Sequence, residues 1–229
     1  MITELSRSDR GAPSLVAIER RVRQAMACGL PGVEAQMALA PRPRPSWTPG
    51  QGSPTPRPAA ALLVLLAREN APHVVLTVRS GRVRHAGQVS LPGGAVDAGE
   101  TIEAAALREA EEEIALPRTA VRVVGPLTPL HVAVSGFVLH PVAAICDDPP
   151  PFVPARGEVD RILEVPLAHF TDPGIRGQMP IVRAGHRVLA PYFDVEGEKV
   201  WGATAMILSE LLHILDDGST TEGRRNVTE

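Results

Sequence analysis

Apolar residues recur along this chain with two different periods, and each period predicts a kind of element. From Pro13 to Ala27, Leu15, Val16, Ile18, Val22 and Met26 repeat at helical spacing, with Arg20, Arg21 and Arg23 turned outward, which predicts an amphipathic helix. Its apolar side needs a cover, either the main domain or a partner subunit, as in a homodimer. Residues 1–11 are polar and read as loose. Residues 41–58 hold seven prolines, so this segment reads as an extended spacer. Arg42, Arg44 and Arg57 within it leave a polyproline ligand as the lesser alternative.

Regular structure is expected from Ala59 onward. Ala60–Leu66 is a continuous apolar run of the buried-strand type, and His73–Arg79 follows after a turn at Glu69-Asn70. Val121–Leu127, Phe137–Cys146 and Arg161–Val165 read as further strands. Ile181–Arg183 and His186–Phe193, joined by Ala184-Gly185, predict a hairpin. Ala203–Leu215 carries Ile207, Leu211 and Leu215 one helical turn apart and reads as a closing helix. The expected division is 1–40 as a helical appendage, 41–58 as linker, 59–217 as the main domain and 218–229 as a flexible tail. The fold class is α/β (α+β): a mixed β-sheet between two helical layers.

One stretch changes the picture from architecture to chemistry. Gly93-Gly94-Ala-Val-Asp-Ala-Gly-Glu100 is a tight turn, and no proline follows it before Ala115, while Ala, Leu and Glu dominate as strong helix formers. Thr101 is the expected N-cap, with Glu103 favoured in the first turn by the helix dipole. On that helix Glu109, Glu112 and Glu113 fall within about one 100° sector. Three carboxylates on one face suit a hard divalent cation, Mg²⁺ or Mn²⁺. An acid-rich helix taken alone is more often a solvated face. Here, however, Ile102, Ala106, Ala110 and Ile114 form an apolar stripe, and Glu113 points between Ile102 and Ala106. That placement predicts an acid at the edge of the core.

Composition then narrows the classes. An apolar share of 44% supports a proper core, and aromatics at 3% leave Val, Leu, Ile and Ala to fill it. The net charge of −3 gives no electrostatic footprint for nucleic acid or for a basic membrane anchor. Cys28 and Cys146 form neither a metal motif nor a disulfide framework, and both read as small buried hydrophobes of a reducing compartment. With no signal-like start and no long apolar run, the expectation is a cytoplasmic protein that uses no membrane. Ahead of the diglycine, Arg79, Arg82, Arg84 and His85 crowd a loop, and arginine's planar fork suits phosphate oxygens. Exposed loop arginines are the plainer reading, but their position against the carboxylate turn favours phosphate.

Gly94, Glu100, Arg108, Glu109, Glu112, Glu113 and Leu116 stand at the spacing of the Nudix hydrolase signature, which this stretch resembles. By chance, six specified residues at fixed offsets would recur in roughly one chain in 10⁵. Ala110 fills an aliphatic place, and Ala115 replaces the last glycine, where φ > 0 costs an alanine about 1 kcal/mol. The preceding block resembles the extra motif of the coenzyme A pyrophosphatase branch through Leu76, Thr77, Arg79, Ser80, Arg84, Gly87, Pro92, Gly93 and Gly94. It departs from that motif at Val75 and Leu91, and one residue fewer separates Arg84 from Gly87. Glu158–Leu167 and Val200–Leu208 are also similar to that branch, so the resemblance covers roughly residues 58–215.

The resemblance implies a Nudix-type α/β/α sandwich and a metal-dependent pyrophosphohydrolase. It implies that Glu109, Glu112 and Glu113 hold Mg²⁺ or Mn²⁺ together with the Gly94 carbonyl, that Arg108 orients a carboxylate, and that Glu100 braces the loop to the helix. Glu109 and Glu158 are the candidate bases. Arg79, Arg84, Ser80 and Gly93 are the candidate contacts to substrate. Coenzyme A or its acyl and oxidised forms would be cleaved to 3′,5′-adenosine bisphosphate and phosphopantetheine. ADP-ribose, NADH or another dinucleotide is the alternative substrate class, and a non-catalytic nucleotide-binding module is the third reading. Intact signature glutamates argue against that module. His131 and His140 read as core or surface residues rather than ligands.

Overall fold

The computed structural model describes residues 13–42, 56–81, 87–132, 136–183 and 186–216. Residues 1–11, most of the proline-rich segment, the stretch 82–86 with Arg84, the 184–185 turn and the tail after Asp216 lie outside the described residues.

Two helices come first, α1 (Leu15–Cys28) and α2 (Gly32–Met37). The Ser14 side chain caps α1 by accepting from the Ala17 N–H. Ile18 and Val22 are buried, with Leu15 and Met26 packed beside them. Val16, expected inward, is 74% exposed, because at 100° per residue it lies off the sector shared by Leu15, Ile18, Val22 and Met26. Nor do all the arginines point away. Arg21 donates to the Leu215 carbonyl, and Arg23 reaches Glu19 and the Val124 carbonyl. The helix thus packs on its own chain.

Next come β1 (Arg57–Arg68), β2 (Ala71–Arg79), β3 (Val89–Ser90), β4 (Gly93–Ala95) and α3 (Ile102–Ile114). These are followed by β5 (Arg122–Pro126), β6 (Leu130–Val132), β7 (Phe137–Cys146) and β8 (Val159–Pro166). A hairpin of β9 (Arg176–Arg183) and β10 (His186–Val195), then β11 (Glu198–Trp201) and α4 (Ala203–Leu215), complete the chain.

β1 is the hub of a mixed sheet. It runs parallel to β7 from Arg57↔Phe137 to Leu66↔Cys146, and antiparallel to β2 at one end and β4 at the other. Strands covered on both faces read as continuous apolar runs, and Ala59 to Leu66 is buried throughout. Alternation sorts the run into two cores. Ala60, Leu62, Val64 and Leu66 face Ala105, Ala106, Ala110 and Ile114 of α3. Ala61, Leu63 and Leu65 face Ile18 and Val22 of α1 and Ile207, Leu208 and Leu211 of α4. The fold is therefore the α/β/α sandwich with a mixed sheet that the sequence predicts.

Differences lie in the short and irregular pieces. β1 begins at Arg57 rather than Ala60, and β9 begins at Arg176 rather than Ile181, because Gly177 and Pro180 hide its alternation. β3, β4, β6 and β11 run only two to four residues, too few for a period to register. Cys146 is buried as expected, whereas Cys28 ends α1 on its exposed side.

β9, β10 and β11 form a separate three-stranded sheet. Beyond the end of β11, Arg42 pairs with Leu189, each N–H donating to the other's carbonyl. Both polar groups of Leu189 therefore point away from β9. Its partner there, Pro180, consequently turns its own backbone polar positions to the open edge of β9.

Candidate active site

The site assembles where α3 is clamped against the diglycine strand. Thr101 caps α3 as expected, accepting from the Ala104 N–H at 3.1 Å. Arg108 then gathers the surrounding acceptors. Its Nε donates to Glu100 Oε1 at 3.1 Å, its Nη1 to Glu109 at 2.9 Å and Glu112 at 3.1 Å, and its Nη2 to the Ala95 carbonyl at 3.0 Å. Glu100 also accepts from the Asp97 N–H, so one arginine ties the turn to the helix through Glu100. The Arg108 hydrogen bond holds the Glu100 carboxyl below the usual range, and the pairing raises the Arg108 pKa in return.

The three signature carboxylates stand in three environments. Glu112 is largely exposed and bonded to Arg108. Glu109 lies against Gly94; burial pushes its carboxyl up, and Arg108 opposes that. Glu113 is only 4% exposed, as its place on the apolar stripe predicts. It accepts from the Gly93 N–H at 3.2 Å and pairs with Arg79 at 3.6 Å. Burial pushes its pKa to about 7, and the partial relief from Gly93 and Arg79 does not undo this. Among the described residues, no three His, Cys, Asp or Glu side chains stand close enough to hold a metal ion as they are now turned. Arg108 holds two of the carboxylates, and Gly93 with Arg79 holds the third.

The donors nonetheless fit a hard divalent cation. All are oxygens, and Gly94 leaves Glu109 room beside the backbone. Burial penalises negative charge at both Glu109 and Glu113, a penalty that a bound cation would offset.

Glu158 arrives from the far side. Val153 and Ala155 donate to the Ile114 and Glu113 carbonyls, docking this loop on the C-terminal end of α3. The Glu158 carbonyl accepts from the Ser80 N–H at 2.8 Å, and its charge helps raise both Glu109 and Glu113. Ser80 itself is buried. His140 is half-buried, its pKa lowered by burial and by His131.

A cleft of about 330 Å³ opens from Arg79, Gly93 and Gly94 toward the α4 side of the sheet. Val132, Phe137, Leu139 and Leu91 line it, together with Trp201, Ala203, Thr204 and Ile207. The Arg57 guanidinium lies 4.5 Å from the centre of the Phe137 ring. Phe137 and Trp201 had no assigned role in the sequence reading. The available signal was scarcity, since the chain has only four Phe, two Trp and one Tyr.

A sandwich that presents this helix against a diglycine strand is the framework of a pyrophosphohydrolase, and the chain is an enzyme of that class. The model of the NUDIX domain matches residues 55–179, and the chain belongs to the Nudix hydrolase family. An uncharacterized Nudix hydrolase, NudL of Escherichia coli O7:K1 (strain IAI39 / ExPEC), is 44% identical over 156 residues, covering 66% of this chain and 80% of its own. NudL of Escherichia fergusonii is 43% identical over the same length, with the same coverage. Among solved structures, the Nudix hydrolase RenU of M. Smegmatis is 28% identical, covers 52% of this chain and 78% of its own, and has a TM-score of 0.45. Nudix enzymes in general use divalent metal ions. Among the described residues, no helix is long and apolar enough to cross a membrane.

Proposed function

We propose that this chain hydrolyses the pyrophosphate of coenzyme A or its derivatives, releasing 3′,5′-adenosine bisphosphate and phosphopantetheine, as a cytoplasmic enzyme dependent on Mg²⁺ or Mn²⁺. The observation that carries this reading is that Arg79, Gly93 and Gly94, which adjoin Glu113 and Glu109, also line a largely apolar cleft. A charged pyrophosphate can lie at one end while less polar parts of the substrate fill the other.

Glu109, Glu112, Glu113 and the Gly94 carbonyl would hold the metal. A bound divalent ion neutralises phosphate oxygens and lowers the pKa of its water. Arg108 orients Glu109 and Glu112, and Glu100 fixes Arg108. Glu109 or Glu158 accepts the proton of the attacking water. Arg79 and Arg84, with Gly93, receive the phosphates, Arg79 exchanging its Glu113 contact for substrate oxygens, while Ser80, buried with its N–H on the Glu158 carbonyl, stands behind them. Leu91 in the cleft wall and the shortened Arg84–Gly87 spacing favour a second reading, hydrolysis of ADP-ribose, NADH or another dinucleotide.

Product analysis tests both. Metal-dependent release of 3′,5′-adenosine bisphosphate from coenzyme A supports the first. Cleavage of ADP-ribose or NADH alone replaces it with the second.

A further inference from the structure

Far from the carboxylate helix, a second acid is buried more deeply than any in the site. Glu210 on α4 is 0% exposed. Its Oε2 accepts from Gln36 Nε2 at 3.0 Å, and its Oε1 accepts from the Thr128 hydroxyl and from the Thr128 N–H at 3.4 Å. Gln36 Nε2 also donates to the Thr128 carbonyl at 2.9 Å. Among the described residues its partners are these two neutral side chains and one backbone amide, with no cation. A buried carboxylate without a counter-charge is costly, and packed apolar residues would serve stability better. What such a group supplies is direction: apolar contacts tolerate sliding, whereas three hydrogen bonds fix one register.

The elements joined here are the walls of the cleft. α4 carries Glu210 and, in its first turns, the cleft residues Ala203, Thr204 and Ile207. Glu210 lies seven residues, roughly 10 Å, along the same rigid helix from Ala203. Thr128 lies just before β6, whose Val132 also lines the cleft, and β7 follows with Phe137 and Leu139. Gln36 brings in α2, whose Ala35 carbonyl accepts from Ser209 at 2.7 Å. At its start α4 is pinned by Thr204, which donates to the Val89 carbonyl next to the diglycine turn. α2 and α4 both lie outside residues 55–179.

We infer that Glu210 is a positioning residue that sets the width of the substrate cleft, holding α4 against the β6–β7 wall through Thr128 and against α2 through Gln36. The inference rests on the proposed function only in taking this cleft as the place where substrate binds. Among the described residues no hydrogen bond joins α3 or its carboxylates to the network, so its loss is expected to act on binding rather than on the chemical step.

The test uses the full chain with Glu210→Gln, which keeps the shape but puts an N–H₂ where one of the two carboxylate oxygens accepted, and with Thr128→Val as a second variant. KM and kcat are measured on whichever pyrophosphate substrate the wild type cleaves. ADP titrations follow Trp201 emission in a Trp47→Phe background with Ca²⁺ in place of the catalytic ion. KM and the ADP dissociation constant are expected to rise about tenfold with kcat within about twofold, the split that removal of uniform binding produces. Weakened ADP binding in the variants, with no cleavage by the wild type, keeps the inference and removes the proposed function. Unchanged KM and ADP binding in folded variants, or a fall in kcat alone, overturns the inference and leaves the proposed function standing.

Discussion

The Glu109 carboxylate occupies the space where a side chain at Gly94 would begin: a Cβ there would lie 2.3 Å from Glu109 Oε1 and 2.4 Å from its Cδ. The second glycine of the pair is therefore a condition on where that acid stands, not only on how the chain turns. Its neighbour Gly93 meets a harder limit, since a Cβ there would lie 2.4 Å from the Ala60 carbonyl oxygen on β1. Gly94→Ala should fold, because a side-chain end can give way, but with Glu109 displaced. A drop in kcat of at least ~10-fold is expected, with a circular dichroism spectrum like that of the wild type.

Glu112 is the most exposed of the three signature carboxylates, so its removal leaves the core untouched. If Glu112 holds the metal as proposed, Glu112→Gln should lose at least ~10-fold in turnover. Its melting temperature should stay close to that of the wild type. Turnover near the wild-type rate would remove Glu112 from the metal site.

Arg108 serves Glu100, Glu109, Glu112 and the Ala95 carbonyl from one planar group. Lysine keeps the charge but cannot reproduce that fork. Arg108→Lys should lower kcat by roughly 10- to 100-fold. Hydrogen exchange should also quicken at residues 95–100, where the turn depends on Glu100.

Glu113 makes the metal-free protein sensitive to pH. Its pKa is about 7 when folded, against the ordinary 4.5. Between those values the folded chain keeps a proton that the unfolded chain releases, so stability falls as pH rises. The loss is absent below pH 4.5, complete above about 7, and amounts to about 3 kcal/mol. Urea unfolding with chelator at about pH 5 and pH 8 measures it. Glu113→Gln should flatten the dependence.

Ala115 ends α3 in the left-handed region at φ 55°, with its N–H on the Glu111 carbonyl and that of Leu116 on Ala110. The left-handed cap that glycine usually supplies, with its N–H on the carbonyl four residues back, is thus made by an alanine. Ala115→Gly should raise unfolding stability by roughly 0.5–1 kcal/mol at unchanged kcat.

How much was legible varies with how local each feature is. α3 could be read closely, because cap, propensity and stripe all lie within fifteen residues, and the same stripe foretold that Glu113 faces inward. The continuous apolar run of β1 likewise announces two covered faces. Arg79 was legible as a cation but not as the partner of Glu113, since that contact depends on how β2 meets the helix layer. The cleft was not legible: Phe137, Trp201 and Thr204 meet only through strand order. Nor was Glu210, although it stands out in the sequence as the single carboxylate inside the otherwise uncharged Ala203–Leu215.

The pairing of Arg42 with Leu189 has a further consequence at the opposite border of the small sheet. By fixing which way Leu189 points, it leaves Pro180, which has no N–H, at the middle of the exposed border between Gln178 and Val182. A foreign strand adding itself there would find a gap in the row of donors where its central hydrogen bond should form. Val182 and Leu189 leave apolar surface on this hairpin, a combination that otherwise invites clumping. A proline so placed is a gatekeeper of the kind that keeps a sticky ribbon from seeding aggregates.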